Sequence, residues 1–166
     1  MRRLCLILLC GLVAVPAAVA ASRVTGDGVL ELRTVNGTVT VNGARGILYG
    51  QMDRGRLIVT DPLPGDGQIF VSGAERTRAG IDDNQRVYIG TDIHYRITGG
   101  RYRLQFVGSG IDFTAIGVGV AWLTGNVTSD DTGDYALDDG KWTPVPWLKV
   151  GVQFGTPPVG APIQSP

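Results

Sequence analysis

From residue 28 onward, apolar and polar positions alternate in short runs that glycine interrupts. No window of helical length keeps apolar residues at a 3.6-residue spacing, so the pattern predicts strands throughout. Gly28, Gly37, Gly46 and Gly55 fall nine residues apart, and Leu30, Val39, Leu48 and Leu57 each follow two residues later. Such a period accommodates one strand and one turn. Asn36-Gly37 and Asn42-Gly43 are expected to be hairpin turns, because a type I′ turn needs positive φ at both central positions and Asn-Gly supplies it at low cost. A reversal at Asn36-Gly37 would set Leu32 opposite Val41 and Thr34 opposite Val39. A further hairpin is expected over Asp92 to Val107, turning at Gly99-Gly100, with Ile97 facing Tyr102, Tyr95 facing Leu104 and Ile93 facing Phe106. The expected fold is all-β, an antiparallel β-sandwich or barrel-like meander. A short parallel β-solenoid would also use a short glycine period and is the alternative.

Other stretches refine this picture. Asp61-Pro62-Leu63-Pro64-Gly65-Asp66-Gly67 breaks the period and reads as a loop, since its prolines cannot continue a central strand. Ile69 and Val71 mark a short strand, and Gly73 to Gln85 reads as a polar connection. Gly117, Gly119 and Ala121 alternate with Val118, Val120 and Trp122, which predicts one smooth face open to close approach. Asp139-Gly140 is placed to turn a hairpin between Tyr135 and Trp142. Leu148, Val150, Val152 and Phe154 make a last alternating strand.

The chain begins with Arg2-Arg3, an apolar run from Leu4 to Val15, and Pro16-Ala17-Ala18-Val19-Ala20, which is the order of a cleaved secretory signal over residues 1–20. Cleavage there would remove Cys5 and Cys10, the only cysteines, and leave no stable membrane span. Thirteen basic side chains would then face fifteen acidic ones, a balance without the basic surplus that nucleic-acid binding requires. Residues 21–154 are expected to form one all-β domain, large enough to bury a core without staples. The proline-rich residues 155–166 are expected to be a disordered tail.

Candidate chemistry is sparse. The expected second hairpin would gather His94, Arg96, Arg101 and Arg103 on its polar side, with Arg96 opposite Arg103, and guanidinium forks suit the carboxylate of a sugar acid or another anion. Gly108-Ser109-Gly110 lacks both the dinucleotide fingerprint and the P-loop lysine, so no nucleotide is expected. The aspartates from Asp130 to Asp139 do not follow the EF-hand spacing and read as turn formers, and no metal or cofactor is expected. Trp142, Trp147 and Tyr135 could offer flat faces to sugar rings. No nucleophile-elbow signature accompanies the single histidine.

Gly43-Ala44-Arg45-Gly46, the stretch Tyr95-Arg96-Ile97-Thr98-Gly99-Gly100-Arg101-Tyr102-Arg103-Leu104 and the segment Gly108 to Gly125 together resemble small secreted proteins of unassigned function from high-GC Gram-positive bacteria, over Gly28 to Gly125. The resemblance implies secretion and a β fold, and it carries no catalytic residues. The leading expectation is a secreted or envelope-associated noncatalytic β domain with a binding or structural role and an unknown ligand, a cell-envelope polymer or glycan being the candidate partner. A secreted polysaccharide hydrolase using Asp112 or Asp131 is the second, and a self-assembling β-repeat envelope protein the third.

Overall fold

The computed structural model describes residues 24–156. The expected signal over residues 1–20, with both cysteines, and residues 157–166 of the expected tail lie outside the described residues. Seven strands and no helix are found within them: β1 (Gly28–Thr60), β2 (Gly67–Ala79), β3 (Gln85–Gly99), β4 (Tyr102–Gly125), β5 (Asp134–Leu137), β6 (Thr143–Pro144) and β7 (Val150–Phe154). They form one antiparallel sheet in the order β2-β3-β1-β4-β7, with β5 added to β1 and β6 to β5. The all-β, antiparallel expectation is met, and the sheet is open rather than a closed barrel.

The expected hairpins at Asn36-Gly37, Asn42-Gly43 and Gly99-Gly100 do not form. β1 runs for 33 residues straight through both Asn-Gly pairs. Reading back along it, Thr60 meets Gln85 and Ile47 meets Thr98 on β3; Gly43 then meets Tyr102 and Gly28 meets Gly117 on β4. β3 and β4 are therefore one continuous partner of β1. Gly99 and Gly100, with φ of 72° and 65°, make a corner inside that partner instead of a reversal. β1 lies where the expected hairpin would have paired β3 with β4, so Tyr95 faces Gly50 and Ile93 faces Met52, while Leu104 faces Val41 and Val59.

β4 meets β1 twice. Gly117 lies between Gly28 and Gly46, Gly108 between Gly37 and Gly55, and Leu104 between Val41 and Val59, each pair eighteen residues apart. A strand that returns beside itself has turned a full circle, so the long β1/β3–β4 ribbon is wound on itself with a lap of eighteen residues. The nine-residue glycine period is half a lap. The two laps of β1 run parallel to each other, but β4 separates them, which excludes the stacked solenoid.

Glycines line up across the strands in two rows. One is Gly28, Gly117 and Gly46; the other is Gly125, Gly37, Gly108 and Gly55, continued by Gly90. A methyl group at Gly108 would run into the Arg54 carbonyl oxygen and lie 2.9 Å from Gly55 Cα. Glycine here permits backbones to approach where strands turn from one face of the winding to the other. The strict alternation of buried positions slips near these rows, from Met52 to Leu57 and from Phe106 to Ile111.

The core fills the inside of the winding. Leu30, Leu48, Leu57, Ile93, Leu104, Phe106, Ile111 and Leu123 are fully buried there, and Phe106 lies 4.9 Å from Tyr95 and 5.7 Å from Phe113 between ring centroids. Phe154 closes one side, pairing with Gly119 on the smooth face anticipated for that segment. The expected connection from Gly73 to Gln85 is instead largely strand, since β2 continues to Ala79. Both faces of that edge are wet, so it needed no apolar alternation. Asp134–Leu137 and Thr143–Pro144 form a hairpin where one was expected, but it turns at Asp138 and Asp139, both with positive φ, one residue before the expected Asp139-Gly140. Thr156, expected to belong to the tail, is held to the fold, its amide donating to the Gly26 carbonyl at 2.7 Å.

A candidate binding groove on the outer face

Winding places residues from both laps side by side on the outside of the sheet. One outward row runs Phe70, Arg96, Tyr49, Thr114, Glu31 across β2, β3, β1, β4 and the first lap of β1. The next row holds Ser72, His94, Gln51 and Asp112. These rows line an open groove of about 790 Å³, which Arg33 and Trp142 also line. Phe70 and Tyr49 are 60% and 45% exposed, and large aromatic surfaces left in water on the face of a well-packed sheet mark a binding surface.

The floor is buried and hydrogen-bonded. Beneath the rows, Tyr95 faces Gly50 and Leu32 faces Phe113. The Tyr95 hydroxyl lies 3.0 Å from the carbonyl oxygens of Gln51 and of Asp112, sharing its one proton between β1 and β4. Burial, and secondarily the Asp112 carboxylate, raises the Tyr95 pKa well above its ordinary value, so the hydroxyl stays protonated as a donor. A β-bulge between Leu32 and Val35 shapes the groove beside Arg33. There Thr34 adopts φ of 48° and its amide donates to Asp112 Oδ1 at 3.0 Å. The bulge turns Arg33 outward, and its guanidinium stacks 3.8 Å above the Trp142 ring.

The four residues expected to share one face are divided. His94 and Arg96 line the groove. Arg103 lies between Asn42 and Thr60 instead of facing Arg96, and Arg101 follows the glycine corner, where its amide donates to Asp66. The cause is the strand order: β1 separates β3 from β4, and the corner carries the chain onward. His94 Nε2 lies 3.0 Å from Asp92 Oδ1, both side chains being exposed. Among the described residues no hydrogen bond joins His94 to Ser72, its neighbour on β2. The expected platform of Trp142, Trp147 and Tyr135 is not assembled: Trp142 reaches the groove, Tyr135 packs against the core, and Trp147 is exposed outside it. Asp131 spends its Oδ1 on the Gly133 amide at 2.8 Å, whereas Asp112 and Glu31 line the groove.

Phe70, Tyr49, Gln51 and Arg33 were missed by sequence reasoning. The signal that could have found Tyr49 and Gln51 is the lap: Glu31 and Arg33 recur eighteen residues later as Tyr49 and Gln51, flanking the same stretch of β4. A second depression of about 710 Å³ lies along the Gly37 glycine row, and no aromatic residue lines it. Comparison with known proteins finds no family model, no curated protein and no solved structure that matches this chain.

Proposed function

We propose that this protein is a noncatalytic binding module of the cell exterior, secreted or envelope-associated, that holds a glycan chain of a cell-envelope polymer in the groove across β2, β3, β1 and β4. The observation that carries the reading is the outward row in which Phe70 and Tyr49 flank Arg96. Aromatic faces pack on the apolar faces of sugar rings, and the hydroxyls at the ring edges need donors and acceptors such as Gln51, Thr114, Asp112 and Glu31. The N-terminal Arg2-Arg3, apolar run and small-residue end support export.

Cosedimentation of the full-length protein with isolated cell envelopes, followed by titration with soluble glycans, tests the reading. Saturable binding is expected. Phe70→Ala and Tyr49→Ala should each weaken it by about tenfold or more, the loss typical of a central aromatic anchor. Arg103→Glu, outside the groove, should leave it unchanged. Absence of binding to envelopes and to every glycan would overturn the proposal.

A second reading, a secreted polysaccharide hydrolase, is favoured by the presence of Glu31 and Asp112 in the same groove, because glycoside hydrolysis uses two carboxylates flanking the bond. New reducing ends in the same titrations, lost in Asp112→Asn, would establish it.

A further inference from the structure

The groove holds the guanidinium groups of Arg33 and Arg96, and among the described residues neither is in an ion pair. Among these residues, Arg45 pairs with Asp27, and the Asp92 carboxylate lies beside His94. Arg96 stands in the middle of the aromatic row. Arg33 lies against Trp142, and stacking on a ring occupies the guanidinium face while leaving its N–H edge available for coplanar bonds. Arg33 lies three strands away from Arg96 and two residues beyond Glu31 along its strand, a separation of about 16 Å at ordinary strand geometry.

The groove is not a general anion trap, because Glu31 and Asp112 also line it. A polyphosphate or DNA backbone would bring further negative charge against these carboxylates with no hydroxyl along its length to offer them. A polyhydroxylated acid satisfies both kinds of group: its carboxylates suit the two arginine forks, and its hydroxyls donate to Glu31 and Asp112. Strand spacing, about 4.8 Å, is comparable to the length one pyranose ring adds to an extended chain. A chain laid across the strands therefore keeps step with the side-chain rows.

We infer that the groove is specific for acidic polysaccharide, a chain of uronate-type sugars laid across the strands with Arg96 and Arg33 each taking a carboxylate. The inference rests on the glycan-binding reading and narrows it to one ligand class.

Calorimetric titration of the full-length protein with polygalacturonate, with its fully methyl-esterified form and with a neutral glucan tests it. Polygalacturonate should bind at least about tenfold tighter than the ester, as expected for hydrogen bonds to a charged group. That preference should fall with added salt, disappear in Arg96→Gln and in Arg33→Gln, and persist in Arg103→Gln. The acid-against-ester comparison uses the unaltered protein, so it decides the matter even if a variant fails to fold. Equal binding of acid and ester would overturn the inference and leave glycan binding intact. Polyphosphate binding as tightly as polygalacturonate would overturn it in favour of a generic polyanion site. No binding of any glycan would remove both readings.

Discussion

At Gly108 the backbone of β4 comes so close to that of β1 that a single methyl has no room. The obstacle is backbone on both counts, the Arg54 carbonyl and Gly55 Cα, and neither can rotate away. Gly108→Ala should destabilise the fold by about 2 kcal/mol or more in urea denaturation, in the range of overpacking within a fixed frame. Gly151→Ala is the internal control, because its nearest neighbour would be the Trp122 Nε1 at 3.5 Å, and its effect should stay within about 0.5 kcal/mol. Two tyrosines make a second residue-scale prediction. Burial raises the pKa of Tyr102 above its ordinary value, and its hydroxyl is buried without a hydrogen-bond partner among the described residues. Tyr95 is raised as well. The folded chain thus keeps two protons that the unfolded chain releases above about pH 10. Stability is unaffected by these groups below that pH and falls above it, by about 1.4 kcal/mol per pH unit for each tyrosine. Denaturation series from neutral to alkaline pH should show this slope, and Tyr102→Phe should remove about half of it without loss of stability at neutral pH, since no hydrogen bond is given up.

At the scale of the element, β2 is the sheet edge where assembly between copies would begin. It spans 13 residues and carries the unpaired backbone groups that make edges prone to association. Several features oppose that. The ladder to β3 is broken by bulges between Ser72 and Arg76, Gly73 takes a φ of 77°, and Glu75, Arg76 and Arg78 are exposed beyond the break. Bulges and charges blunt an edge by twisting it and by making a second strand costly to desolvate. Sedimentation at high protein concentration should therefore give a monomer, and Arg76→Val/Arg78→Val should shift it toward association. Association of the unaltered protein would instead favour the self-assembling alternative.

At the scale of the whole molecule, the winding decides both the core and the groove. β1 supplies two laps to one interior, so its first half has no core of its own and the molecule cannot be divided within β1. The same lap sets residues 31–33 and 49–51 on either side of residues 112–114, with residues 94–96 and 70–72 beyond. Five separated stretches become one surface. The binding reading belongs to this scale, because no single stretch carries enough of the groove to recognise a ligand.

Alternation and glycine spacing by themselves determined that the chain is all-β, that its last strand buries Val152 and Phe154, and that a tight turn separates Tyr135 from Trp142. These are local consequences of side-chain period and of which residues tolerate positive φ. The nine-residue period was equally legible, but its meaning was not. Asn-Gly is compatible with a hairpin turn and also with an extended strand that must pass close to a neighbour, and only the partner across the sheet distinguishes them. Tertiary structure decided that Gly37 faces Gly108 and Gly125, that β1 stands between β3 and β4, and hence that Arg96 keeps company with Tyr49 and Phe70 instead of Arg103. The physical reason is that pairing partners are chosen by the burial of the whole ribbon, and a strand's own sequence specifies which face is apolar without specifying what lies beside it.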